Sequence, residues 1–168
     1  MTHRAVRTPG TCYLRLGRGN EPKIHPGPVT GWEIPAPLTL REGTDTALLS
    51  AGGILTQTVE AAKLLEAKGI SAEVVSFPCV KPMDGDAVRK LTERFRHIVT
   101  VEEHNILGGF GSAVCEIAAE TGNGCRIHRI GLQDCYTSVV GTQQYLREIY
   151  GMDAKAIAEK TEAWLNEA

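Results

Sequence analysis

An α/β fold, with a mainly parallel sheet and helices on both of its faces, is what this 168-residue sequence predicts. Three observations lead there. Short apolar, β-prone runs recur along the chain; each is followed by a segment with apolar residues at helical spacing; and glycines punctuate the joints. A helical crossover returns the chain to the end of the sheet it started from, so strands linked this way pair mostly in parallel.

The elements follow in order. Residues 12–16, Cys-Tyr-Leu-Arg-Leu, read as a short strand closed by Gly17-Arg18-Gly19-Asn20. A lone strand cannot stabilise itself, so it is expected to add to a sheet from elsewhere or to dock on the main domain. Six of the eight prolines fall within the first 44 residues, and 23–37 has no sustained period, which marks a linker crossing a surface. Leu38 to Arg41 is a candidate edge strand. Thr46 to Ala51 reads as a buried strand, and Gly52-Gly53 turns it into a helix with Leu55, Val59, Ala62 and Leu65 on one face, stopped by Lys68-Gly69. Ala72 to Phe77 is the next strand. After Pro78 and Pro82, Asp84 can cap a helix whose Val88, Leu91 and Phe95 face inward. His97 to Val101 is a strand, and Gly109 to Thr121 a helix burying Phe110, Val114, Ile117 and Ala118 before Gly122. Arg126 to Ile130 is the last strand. Two helices close the chain: Thr142 to Tyr150, ended by Gly151, and Asp153 to Glu167, with Ile157, Thr161 and Trp164 on one stripe.

Composition bounds the function. At 42% hydrophobic, 23% charged and a formal charge of -2, the chain has the make-up of a soluble globular domain plus an appendage. It has neither an apolar run of about 18 residues nor an N-terminal signal core, so membrane insertion and secretion are not expected and a cytoplasmic location is. Five cysteines, odd in number and without CxxC, argue against a disulfide framework or a zinc site. The five histidines lack ligand spacing such as HxxxH, so no metal site is expected. With 5% aromatics and no basic stripe, a nucleic-acid surface is not expected.

Two places could carry chemistry. The run Ile98 to Val101 ends in Glu102, Glu103 and His104 and soon reaches Gly108-Gly109-Phe110-Gly111 at the head of a helix. Ligands and partners gather at the carboxyl ends of strands in open α/β sheets. With no nucleophile or metal set nearby, the trio reads better as a strand end facing a partner than as acid/base chemistry. No catalytic residue is assigned. Gly108, Gly109 and Gly111 could let amides approach an anion, but they form neither GxGxxG nor a Walker loop, and close helix-to-strand packing is the favoured reading. Arg15 and Arg18, three residues apart at a strand end among glycines, suit bidentate pairing with a phosphate or carboxylate; a solvated turn is the equal alternative.

Taken together, the series Arg41-Glu42-Gly43-Thr44-Asp45, Ala51-Gly52, Ala61-Ala62 with Leu65 and Gly69-Ile70, Lys81-Pro82-Met83-Asp84, Val101-Glu102-Glu103-His104, Gly108-Gly109-Phe110-Gly111-Ser112-Ala113 and Gly131-Leu132-Gln133-Asp134 resembles the C-terminal domain of transketolase-type thiamine diphosphate enzymes. Order and spacing carry the resemblance, which runs from about Leu40 to the end. The segment Tyr13 to Pro22 resembles the last strand and exit loop of the preceding pyrimidine-binding domain. The implied layout is a tail of that domain over 1–22, a linker over 23–37 and the C-terminal domain over 38–168, a three-layer α/β/α unit on a mixed five-stranded sheet.

In the family, thiamine diphosphate and magnesium sit between a diphosphate-binding and a pyrimidine-binding domain and require a GDG motif followed by asparagines. Asp84-Gly85-Asp86 is not that motif. The resemblance therefore implies a chain that binds no cofactor and is inactive alone, helps to build a homodimer, and works with the other two domains or a partner chain on sugar phosphates. It also implies that Arg18, and with less support Arg15, contact substrate phosphate. The complete enzyme would transfer a two-carbon ketol unit between sugar phosphates. The alternatives are 1-deoxyxylulose-5-phosphate synthase, the beta chain of a 2-oxoacid dehydrogenase, or a non-catalytic binding module. Departures from the pattern are Cys79 and Asp134-Cys135-Tyr136-Thr137, where Asp-x-Phe is usual.

Overall fold

A computed structural model describes residues 2–17, 22–25 and 27–167. Five strands, β1 (Leu38–Arg41), β2 (Thr46–Ser50), β3 (Ala72–Ser76), β4 (His97–Asn105) and β5 (Arg126–Leu132), form one sheet in the order β1-β3-β2-β4-β5. The links among β2 to β5 follow the expected rule: β2 pairs in parallel with β3 and β4, and β4 with β5, while β1 closes one edge antiparallel to β3. The helices are α1 (Thr2–Arg7), α2 (Leu55–Glu66), α3 (Gly85–Arg94), α4 (Phe110–Thr121), α5 (Gln143–Ile149) and α6 (Ala154–Asn166).

Residue parity on the strands sorts the core into two layers. Leu48, Val74, Val99 and Val101 pack against Ala61 and Leu65 of α2 and Ile157 and Ala158 of α6. Ala47, Leu49, Val75 and Ile98 pack on the opposite face against Val88 and Leu91 of α3 and Phe110 and Val114 of α4. Because β2 and β3 are covered on both faces, all five residues of each are buried, which is why they read as continuous apolar runs rather than alternating ones. Glu73, buried in β3, is answered by Arg94 of α3, whose guanidinium donates to both carboxylate oxygens at 3.2 and 2.5 Å.

The local signals act as expected. Asp84 Oδ1 accepts from Ala87 N at 2.9 Å at the start of α3, Thr142 Oγ1 accepts from Tyr145 N at 3.2 Å at the start of α5, and Gly122 ends α4 at a φ of 64°. One expectation needs correction. Residues 12–16 do not form a strand: they run irregular and largely exposed, paired with neither edge of the sheet. The short helix α1, which has no buried residue, had no amphipathic signal to announce it. The segment 23–37 contains no strand or helix among its described residues and touches the core through Ile24. Both β4 and β5 also run further than the apolar pattern suggested, so Glu102 to Asn105 belong to the sheet.

Candidate functional site

Between β2 and β4 the chain's path switches direction, because β3 lies to one side of β2 and β4 to the other. The crevice beyond the carboxyl ends of these strands is where open α/β sheets hold ligands. β4 delivers Glu102, Glu103 and His104 there, and its period of two sends them to different layers.

Glu102 turns toward α4 and is fully buried. Its Oε1 accepts the N–H of Gly111 at 3.1 Å, so the carboxyl serves as an internal cap on the first turn of α4. Burial pushes its pKa above the ordinary carboxylate range, while the Gly111 N–H, His104, the Phe110 N–H and Arg129 pull the other way. Its Oε2 has no hydrogen-bond partner among the described residues; His104 Nε2 lies 3.4 Å away. His104 Nδ1 stands 2.9 Å from the carbonyl oxygen of Asn105, which can only accept, so Nδ1 carries the ring hydrogen. Nδ1 is bound to backbone, while Nε2 lies near Glu102 without a hydrogen bond to it.

Glu103 points to the other layer. Arg147 of α5 grips it with Nε on Oε1 and a terminal nitrogen on Oε2, both at 2.9 Å, and the Gln143 amide adds contacts at 3.0 and 3.2 Å. Gln143 and Arg147 are four apart and share a helix face. This clamp fixes α5 over the end of β4.

The glycines divide their work. A Cβ on Gly109 would lie 2.3 Å from both Glu102 Oε2 and His104 Cε1; one on Gly111 would lie 2.4 Å from Thr100 Oγ1 and 2.5 Å from Glu102 Oε1. Gly108 meets no such contact and is needed for its φ of 68°. These positions show close packing of α4 on β4. Arg129 of β5 locks the intervening turn, donating from one terminal nitrogen to Ile106 O and Ser112 Oγ, each at 2.9 Å. Beside the pair runs a shallow open groove lined by Val80, Lys81, His104, Leu107, Ser112 and Glu116.

A model of the transketolase C-terminal domain matches residues 37–157. The chain belongs to that family. Its match to a solved split-gene transketolase, an inactive beta4 tetramer, has a TM-score of 0.89 at 32% identity and covers 98% of this chain and 53% of that one. A 1-deoxy-D-xylulose-5-phosphate synthase of Chlorobium phaeovibrioides is 40% identical over 121 residues, 72% of this chain and 19% of that protein. An apulose-4-phosphate transketolase subunit from Actinobacillus succinogenes is 33% identical over 162 residues, 92% of this chain and 50% of that protein. The chain thus spans half or less of the length of these curated relatives.

The transketolase C-terminal domain accordingly brings together the six strand-end and glycine residues singled out from sequence. Arg15 lies elsewhere, on the exposed irregular segment, and Arg18 lies outside the described residues. Sequence reasoning missed Arg147, Gln143 and Arg129. The i, i+4 pair on α5 was a visible signal, but its partner 44 residues away was not. The family depends on thiamine diphosphate; in Asp84-Gly85-Asp86 here, Asp84 caps α3 and the exposed Asp86 pairs with Arg89 at 3.0 Å on the same helix.

Proposed function

We propose that this chain is the C-terminal portion of a transketolase that moves a two-carbon ketol unit between sugar phosphates, with catalysis supplied by companion domains or a partner chain. The observation that carries this is the likeness to a split-gene transketolase along nearly the whole chain, including the segment before the C-terminal domain. The site geometry supports a non-catalytic role: Glu102, Glu103 and His104 are committed to partners inside the fold. Residues 1–22 would complete a pyrimidine-binding domain, 23–37 would link it, and 38–168 would be the terminal domain. The companion domains would meet the β4 end, where Leu107 and Val80, 58% and 44% exposed, flank the groove. Arg18 and Arg15 would contact the substrate phosphate, thiamine diphosphate and magnesium would sit in the companion domains, and the complete enzyme would be a cytoplasmic homodimer.

A second reading, 1-deoxy-D-xylulose-5-phosphate synthase, is favoured by the name that many curated relatives bear. The complete enzyme, purified with its companion domains, should transfer two carbons from a ketose phosphate to an aldose phosphate. Formation of 1-deoxyxylulose 5-phosphate without ketol transfer would replace the first reading by the second, and neither activity would overturn both.

A further inference from the structure

Away from the β4 carboxyl end, three aromatic rings converge where β4 and β5 begin. Trp164, near the end of α6, meets His97 edge-on at a centroid distance of 5.1 Å and stacks on His128 at 5.3 Å and 29°. The Arg126 guanidinium lies 5.5 Å from the same indole. His97 and His128 stand on adjacent strands, two residues apart in register, since His97 pairs with Arg126 and Val99 with His128. The Nε2 of His97 is buried and has no hydrogen-bond partner among the described residues.

The charges facing these rings are mostly positive. Arg96 and Arg126 face His97; Lys160 of α6 faces His128, and among the described residues Glu167 is the one anion beside it. Burial first, and then those cations, push both imidazoles below their ordinary range, with Glu167 opposing at His128. A proton on His97 would find no acceptor at Nε2. An imidazolium could gain from the indole face, but Arg126 already lies over that ring, so the second cation meets a like charge.

We propose that the His97–Trp164–His128 stack is an acid-sensitive clasp on the end of α6, closed while both imidazoles are neutral and opened when they take up protons. The sign follows from linkage: a histidine with a lowered folded value contributes its full stability above the unfolded value of about 6.5 and loses it as pH falls below that. Opening would free the last turns of α6, while Ile157 and Ala158 keep the first turns in the core.

Trp164 reports the event directly once Trp32→Phe removes the second indole. Acrylamide quenching should rise about twofold or more between pH of about 7.5 and 5.5, and His97→Phe/His128→Phe, which keeps rings in place but cannot take up protons, should flatten the change. Hydrogen exchange across residues 154–166 of the unaltered chain, corrected for intrinsic rate, should lose protection at low pH in Thr161–Asn166 and not in the rest of α6. An accessibility that stays constant with pH, a rise that persists in the double variant, or loss of protection spread over the whole domain would each overturn the clasp.

Discussion

Replacing Arg147 with Met removes the clamp on Glu103 while keeping most of the side-chain stem. The Arg147 and Glu103 side chains are 8% and 24% exposed, so water only partly substitutes for the lost guanidinium. Two hydrogen bonds at 2.9 Å disappear, and charged hydrogen bonds of this kind contribute about 1.5 to 3 kcal/mol each when isolated. Breaking a fully buried ion pair costs about 3 to 5 kcal/mol. Glu103 keeps the Gln143 amide and some solvent, which reduces the cost, and we expect Arg147→Met to destabilise the fold by about 2 to 3 kcal/mol. For a domain of this size that corresponds to roughly 4 to 12 °C in Tm. Glu103→Gln should lose about as much, because it leaves the guanidinium buried without its full partner. The double variant should lose less than the sum, with a coupling of about 1 to 2 kcal/mol. Urea unfolding at constant m gives all four corners of the cycle. A loss below about 0.5 kcal/mol, as for an exposed pair, or strict additivity would refute the claim that this contact fixes α5 to β4.

Three further outcomes are expected. Gly111→Ala should destabilise by about 1 to 3 kcal/mol through overpacking on Thr100 and Glu102, whereas Gly108→Ala should lose only about 1 kcal/mol from its left-handed φ; chemical denaturation of both distinguishes packing from backbone strain, and equal losses would contradict the division of roles. Glu102 has a raised folded value, so its stabilisation is complete below its ordinary value of 4.5 and is lost as pH rises through the folded value; Glu102→Gln should flatten stability against pH above 4.5, and an unchanged slope in the pH-dependent unfolding series would count against it. In the complete enzyme, Arg18→Ala, and Arg15→Ala to a lesser degree, should raise KM for phosphorylated substrates roughly 30-fold with kcat little changed, as loss of a charge-assisted contact of about 2 kcal/mol requires; an equal loss on non-phosphorylated substrates in steady-state kinetics would assign these arginines to the fold instead.

Much of this fold was legible because its signals are local. The buried strands β2 and β3, the caps at Asp84 and Thr142 and the glycine stop at Gly122 each declare themselves within a few residues. The end of β4 was harder to read. Charged Glu102 and Glu103 look like the exit of a strand, yet they remain in the sheet because each finds its partner in a different layer, through contacts 9 and 44 residues distant in sequence. Residues 12–16 failed in the opposite sense. Their composition suits a strand, but strand propensity acts only where a neighbour supplies the other half of the ladder.

On the proposed function this chain is a scaffold, and its cofactor chemistry belongs to companion domains. Calorimetric titration of the isolated chain with thiamine diphosphate and magnesium tests that assignment without recourse to any other chain. Only heats of dilution are expected, because no cluster of three His, Cys, Asp or Glu side chains able to hold a metal ion occurs among the described residues. Saturable binding in the micromolar range would contradict it and place cofactor recognition in this chain.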